Sequence, residues 1–280
     1  IQHPFGASLD GLNCRDHCVP QFLSRLVVQR RPEPTALMQA LVDHVMVHLD
    51  SALEQERFKP LGLATGRTME PFYGTLVQRL SAWPASRLAQ LKRRWLSFNL
   101  DEYVGLPSAD EHSFASYMHA QLGRHLELAP PQLCLPDGGA DDPAEEARRY
   151  AAAVQEAGGI GLQLLGLGGN GHVGFNEPPS PAGCGCRVVT LQRATRIQNA
   201  GAFGGDPDQV PERAITLGLD EILAADEIHL IVTGAAKAEI LRTALLDPCS
   251  AEVPASWLQQ HPRVHLWVDD AASAHLPLLS

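Results

Sequence analysis

The stretch Leu165-Gly-Leu-Gly-Gly-Asn-Gly-His-Val-Gly-Phe-Asn-Glu-Pro178 constrains this chain more than any other. An apolar run enters a glycine-rich turn, and the turn then presents Asn170, His172 and Glu177 in one short segment. Gly166, Gly168, Gly169 and Gly171 predict a backbone free to take positive φ and to approach a ligand closely. An imidazole and a carboxylate five residues apart predict an oriented acid/base pair, with Glu177 turned toward His172. Such a turn belongs at the end of a strand that feeds a binding crevice.

The layout recurs. Leu61-Gly-Leu-Ala-Thr-Gly-Arg-Thr68 is again an apolar run before a small-residue turn, and Met69 to Leu80 then reads as a helix with Phe72, Leu76 and Leu80 on one face. A third apolar run, Trp95 to Leu100, ends directly in Asp101-Glu102-Tyr103. Elsewhere the pattern predicts strands at Leu26 to Val28, Ile160 to Leu167, His229 to Thr233 and Val264 to Val268. Helices are predicted from Pro34, from Ser113 to His125, from Pro143 with Asp142 as cap, and from Ala235 to Leu246. Alternation of this kind predicts an α/β fold, a three-layer, Rossmann-like and mostly parallel sheet with helices on both faces. Residues 1–22 lack periodicity and read as an irregular N-terminal extension, leaving 23–280 as a single domain.

Composition narrows the function classes. The net charge is −10, and no basic run interleaved with aromatic residues appears, so a nucleic-acid surface is not expected. A small anionic ligand is compatible with that charge, because one phosphate needs only a few local cations and backbone amides. No apolar stretch approaches the length of a membrane span, and no leader pattern opens the chain, so the expected setting is cytoplasmic. Cys14, Cys18, Cys134, Cys184, Cys186 and Cys249 are irregularly spaced, which fits reduced thiols better than a disulfide framework or a zinc site. His44 and His48 lie one helical turn apart without a glutamate between them or a third ligand, and read as surface residues.

Five segments together resemble a known family. Thr65-Gly-Arg-Thr68, Phe98 to Pro107, Gly166 to Pro178, Thr195-Arg-Ile-Gln-Asn199 and Gly234-Ala-Ala-Lys237 are similar to the glucosamine-6-phosphate deaminase (isomerase) group, within the larger set that includes 6-phosphogluconolactonases. Phe175-Asn-Glu-Pro178 looks like the deaminase branch, where the lactonase branch has a Ser-Leu-Phe-like sequence. The resemblance implies that Asp101 takes a proton from C2 of an aminosugar phosphate, with Glu102 supporting it, and that His172 shuttles the ring-opening proton. It implies Glu177 as the group that orients His172, and Asn170 where many members carry Asp. Thr65, Gly66, Arg67, Thr68, Arg196 and Lys237 would hold the phosphate, Arg67 standing where a glycine is common. No metal or redox cofactor is implied, and the partner is a small sugar phosphate, with monomer or homo-oligomer left open. A galactosamine-6-phosphate deaminase, a lactonase-like hydrolase and a non-catalytic sugar-phosphate sensor are the competing readings.

Relatives activated by N-acetylglucosamine 6-phosphate resemble one another in an Arg-x-Lys pair shortly after Asn-Glu-Pro. Here that place reads Arg187-Val-Val189. A valine offers a second phosphate no charge, and an effector without differential affinity shifts no population. Hyperbolic substrate kinetics are therefore expected with or without N-acetylglucosamine 6-phosphate; a sigmoidal curve that the effector straightens contradicts this.

Overall fold

The computed structural model describes residues 18–55 and 58–277. Seven strands form one parallel sheet: β1 (Val27–Arg31), β2 (Leu61–Leu63), β3 (Ser97–Asn99), β5 (Leu133–Cys134), β6 (Leu162–Gly166), β9 (Glu227–Val232) and β10 (Val264–Asp269). Their spatial order is β1-β10-β9-β6-β2-β3-β5. Every residue of β2, β3 and β9 is buried, as expected of strands covered on both faces, and this is why they read as continuous apolar runs. Helices surround the sheet. The longest, Pro34–Leu53, starts with proline in its first turn and buries Leu37, Leu41, Val45 and Leu49, the positions its periodicity marks. Helix Glu70–Ser81 buries Phe72, Tyr73, Leu76 and Leu80 in the same core. Asp142 caps helix Pro143–Glu156 by accepting from the backbone N–H groups of Ala144 and Glu145, both at 3.0 Å.

The structure departs from the sequence reading in four places. A second sheet exists: β4 (Asp101–Tyr103), β8 (Arg213–Thr216) and β7 (Arg187–Thr190) pair antiparallel in the order β4-β8-β7. Alternation of apolar and polar residues is too short in these strands to separate them from loops. The helix predicted from Ser113 to His125 holds, but a π-helical turn at His119–Gly123 interrupts it. His44 and His48 are not surface residues; both are partly buried, and His44 packs against His229 and His265 of the sheet. The expected N-terminal extension falls largely on residues 1–17, outside the described residues, yet Cys18–Leu23 is a helix and Phe22 is 1% exposed within the main core.

Phe22 is thus a core residue. Phe22→Ala is expected to destabilise the fold by about 3–5 kcal/mol, the usual cost of emptying a buried phenylalanine site. An unchanged urea midpoint would show that this helix contributes nothing to the core.

Candidate active site

A cavity of about 510 Å³ opens where the parallel strands end, within the range of small-molecule sites. Its walls come from the segment after β2 (Ala64 to Glu70), the junction of β3 and β4 (Leu100, Asp101, Tyr103), the glycine turn after β6 and the end of β9. Leu100 creates the central feature. Its N–H donates to Leu63 O in the parallel sheet at 3.1 Å, and its carbonyl accepts from Leu217 N at 2.7 Å, beside the antiparallel sheet. The chain therefore changes sheets at one residue, and Asp101 stands on the step facing the cavity.

Asp101 is 5% exposed, and burial, followed by the charge of Glu102, pushes its carboxyl up to about 8. Glu102 faces the other way. It accepts from the backbone N–H groups of Tyr103, Phe114 and Ala115, each at 2.9 Å, so it closes the start of helix Phe114–Met118. Burial raises it to about 7 against the pull of those three donors. The supporting role expected of Glu102 is thus a helix cap that also fixes the strand carrying Asp101.

His172 is held by Asn170. Its Nδ1 lies 2.7 Å from Asn170 Oδ1; a carboxamide oxygen only accepts, so Nδ1 carries the proton and Nε2 keeps a lone pair. Burial first, and the Lys237 ammonium second, lower this imidazole to about 4. It is therefore neutral near pH 7. Gly168 makes room for it: a Cβ there would sit 2.2 Å from the imidazole. Positive φ, expected at four glycines of this turn, occurs at Gly171 (84°) among them and also at Gly174 (56°). Of the other three, Gly168 is required for its size, while a Cβ on Gly166 would meet nothing within 4 Å and one on Gly169 only Lys237 Nζ at 3.8 Å. At Gly174 a Cβ would lie 3.4 Å from Asp101 Oδ2 and 3.1 Å from Thr216 Oγ1, so the turn packs closely on the carboxylate.

Glu177 does not orient the imidazole directly. Its Oε2 accepts from Gln192 N at 2.7 Å and its Oε1 from the Thr195 hydroxyl, so the carboxylate anchors the start of helix Arg193–Asn199. A weaker chain returns to the histidine: Asn170 Nδ2 donates to Gln192 Oε1 at 3.4 Å. The pairing read from the sequence is replaced by this longer relay because Gln192 N and the Thr195 hydroxyl already occupy both oxygens of Glu177.

The expected phosphate residues divide. Thr65, Gly66, Arg67, Thr68 and Lys237 all line the cavity. Tyr117 steadies the loop by donating to Gly66 O at 3.3 Å. Arg67 reaches across the mouth, its Nη2 at 2.9 Å from where a Cβ on Gly201 would stand. Arg196 is not among the lining residues; its Nη1 lies 3.6 Å from exposed Glu212, and its Nε is buried without a hydrogen-bond partner. Its neighbours Gln198 and Asn199 do line the cavity. Sequence reasoning missed the aromatic wall of Tyr103, Phe114, Phe175 and Phe203, whose rings pack at centroid separations of 4.8 to 6.0 Å. Asn199 Nδ2 donates to the Tyr103 hydroxyl at 3.0 Å and joins this wall to the helix that Glu177 anchors. Tyr103 and Phe175 stand inside motifs the sequence marked, and Phe114 and Phe203 carried no such signal.

Residues 32–267 match the glucosamine-6-phosphate isomerase/6-phosphogluconolactonase family. The chain belongs to this family. It is 44% identical over 227 residues to a glucosamine-6-phosphate deaminase of Rhodopirellula baltica, covering 80% of this chain and 88% of that one. A glucosamine-6-phosphate deaminase of Hahella chejuensis is 39% identical, covering 91% and 93%. Among solved structures, a monomeric glucosamine-6-phosphate deaminase superposes with a TM-score of 0.78 at 35% identity, covering 89% of this chain and 99% of that one. A 6-phosphogluconolactonase from Thermotoga maritima shares the fold, with a TM-score of 0.68 at 17% identity and coverage of 88% and 100%.

Replacing the amide beside His172 by a carboxylate places a negative charge at hydrogen-bond distance. Asn170→Asp is expected to raise the His172 pKa from about 4 by ~1–3 units. The imidazole C–H resonances report it in an NMR titration, and an unmoved midpoint refutes the Asn170 contact.

Proposed function

We propose that this chain is an aminosugar-phosphate deaminating isomerase that converts glucosamine 6-phosphate to fructose 6-phosphate and ammonia, with residues 23–280 acting as one catalytic unit. The observation that carries the reading is the placing of a desolvated carboxylate, Asp101, and a neutral imidazole, His172, on one cavity whose opposite wall is the Thr65–Thr68 loop. The deaminase relatives, at 39–44% identity over most of the chain, supply the substrate.

In this reading the phosphate lies against Thr65, Gly66, Arg67 and Thr68, with Lys237 giving a second charge. Arg196 joins them on binding. Its contact with exposed Glu212 is long, and a surface pair of that kind is worth ~0–1 kcal/mol, so turning away costs little. His172 Nε2 takes the O1 proton and returns it to the ring oxygen, which opens the ring. Asp101 then moves the C2 proton to C1, water adds at C2, and ammonia leaves to give the ketose. The carboxylate gains basicity from burial, which suits it to a carbon acid. Asn170 holds the imidazole in its productive tautomer, and Glu177 acts through Gln192 and Thr195 as a positioning residue.

No helix among the described residues is long and apolar enough to cross a membrane, and Cys134, Cys184 and Cys186 are not joined in disulfides. We place the enzyme in the cytoplasm on that chemistry.

Asp101 works only when deprotonated. The kcat/KM for ammonia release is therefore expected to rise with pH through a midpoint near 8. Asp101→Asn should lower the rate by roughly 10²–10⁴ without unfolding the protein. Assaying glucosamine 6-phosphate and galactosamine 6-phosphate side by side decides the epimer, and release of no ammonia from either returns the lactonase or sensor reading.

A further inference from the structure

At the other end of β9 from the cavity, four histidines and a glutamate converge on one point. Helix Pro34–Leu53 supplies His44 and His48, β9 supplies Glu227 and His229, and β10 supplies His265. His229 and His265 are register partners on adjacent parallel strands, and their rings stack at 4.5 Å with an interplanar angle of 2°. His44 closes the group at 4.9 Å from His229 and 5.2 Å from His265, centroid to centroid. One ring nitrogen from each of these three lies within 4.8 Å of the others.

We propose that His44, His229 and His265 form a binding site for one divalent transition-metal ion of the zinc, cobalt or nickel class. Imidazole nitrogens select such ions over magnesium or calcium. Two nitrogens on a tetrahedral ion at 2.0–2.1 Å stand about 3.4 Å apart, and the in-plane lone pairs of the stacked His229 and His265 rings run parallel, so binding requires the His265 ring to rotate as well as the nitrogens to close by roughly 1 Å or more. His44 is only partly buried and the His265 side chain is 16% exposed, which leaves side-chain rotation free and gives an ion a path in.

The proton positions favour this assignment. An indole N–H only donates, and Trp267 Nε1 donates to His229 Nδ1 at 2.9 Å, so His229 Nδ1 holds a lone pair. The proton of this ring is then on Nε2, which lies 3.4 Å from Glu227 Oε1. A lone pair on one nitrogen and a carboxylate behind the other is the arrangement that orients metal-bound histidines. An ion takes the place of the indole N–H and leaves the Glu227 contact intact. His229 is wholly buried, and its Nε2 faces Glu227 Oε1 without a well-aligned hydrogen bond. Burial lowers all three pKa values, His265 to about 4, and neutral imidazole is the ligating form. Glu227 also meets His48 Nδ1 at 3.2 Å and Arg263 Nη2 at 3.1 Å, which fixes the carboxylate.

The site ties one helix to two central strands. His229 lies two residues, about 7 Å of strand, from Ile231, the first residue of this strand to line the cavity, and it is not itself a lining residue, so the ion is read through stability.

The test uses the full-length protein, stripped with chelator and titrated near neutral pH with zinc by calorimetry. His44→Ala and His265→Gln are each expected to bind one equivalent fewer than the parent, and to lose the rise in melting temperature that zinc gives it. Trp267→Phe, which frees the His229 lone pair, should keep that equivalent and bind it several-fold more tightly. Cobalt should give ligand-field bands without thiolate charge transfer, and His44→Ala should abolish them. If His265→Gln does not fold, His44→Ala decides alone, since circular dichroism checks its fold separately. Equal zinc stoichiometry in the parent and His44→Ala, or a cobalt spectrum made only of thiolate bands, overturns the proposal.

Discussion

Everything at the cavity depends on the two hydrogen bonds of one backbone unit. Leu100 gives its N–H to the strand before the Thr65–Thr68 loop and accepts at its carbonyl from the segment that follows β8. Because the parallel and antiparallel sheets meet at this residue, the next one, Asp101, opens β4 opposite Thr216 and lines the cavity. It is left pointing at the seam. Gly174 packs close to it from the glycine turn, Thr216 of β8 is its pairing partner, and Glu102 pins the following helix from behind. A carboxylate so placed is rigid and dry at once, which a loop alone does not provide.

The same burial acts in opposite senses on the two principal groups. Withdrawal from water disfavours charge, so it raises the carboxyl of Asp101 and lowers the imidazole of His172. Near pH 7 the empty site thus holds much of its Asp101 protonated and its His172 neutral, and Lys237 is the cation felt by that imidazole. A substrate that brings a cationic amine toward Asp101 and a phosphate dianion toward Lys237 supplies charges where the protein has suppressed its own. The aromatic wall of Tyr103, Phe114, Phe175 and Phe203 strengthens each of these contacts by displacing water.

Much of this was legible in the residues. The strand-turn signals at Leu61, Trp95 and Leu165 placed three of the cavity walls, because a glycine or acidic residue at the end of an apolar run is a local property. The helices from Pro34 and Pro143 were equally plain from their caps and spacing. What stayed hidden depends on pairing between distant segments. The short strands β4, β7 and β8 carry no decisive period, so the second sheet was invisible, and with it the wall built on Phe114 and Phe203. The destination of the Glu177 side chain is set by Gln192 and Thr195, which lie across a loop. The paired histidines at 229 and 265 show the same limit, since the register of strands, not spacing along the chain, decides what they meet.

The order of the strands has a consequence for how the chain comes off the ribosome. Among the described residues β1, the earliest strand, pairs only with β10, the latest, with Val27 opposite His265. Nearly the whole chain must exist before that edge can be built, and a parallel pairing across so long a span forms slowly. Until then β1 and helix Pro34–Leu53 wait with an incomplete apolar face, which is the period when a nascent chain is most prone to wrong contacts. Co-translational folding of this enzyme therefore begins in its interior strands and ends by sealing the edge it made first.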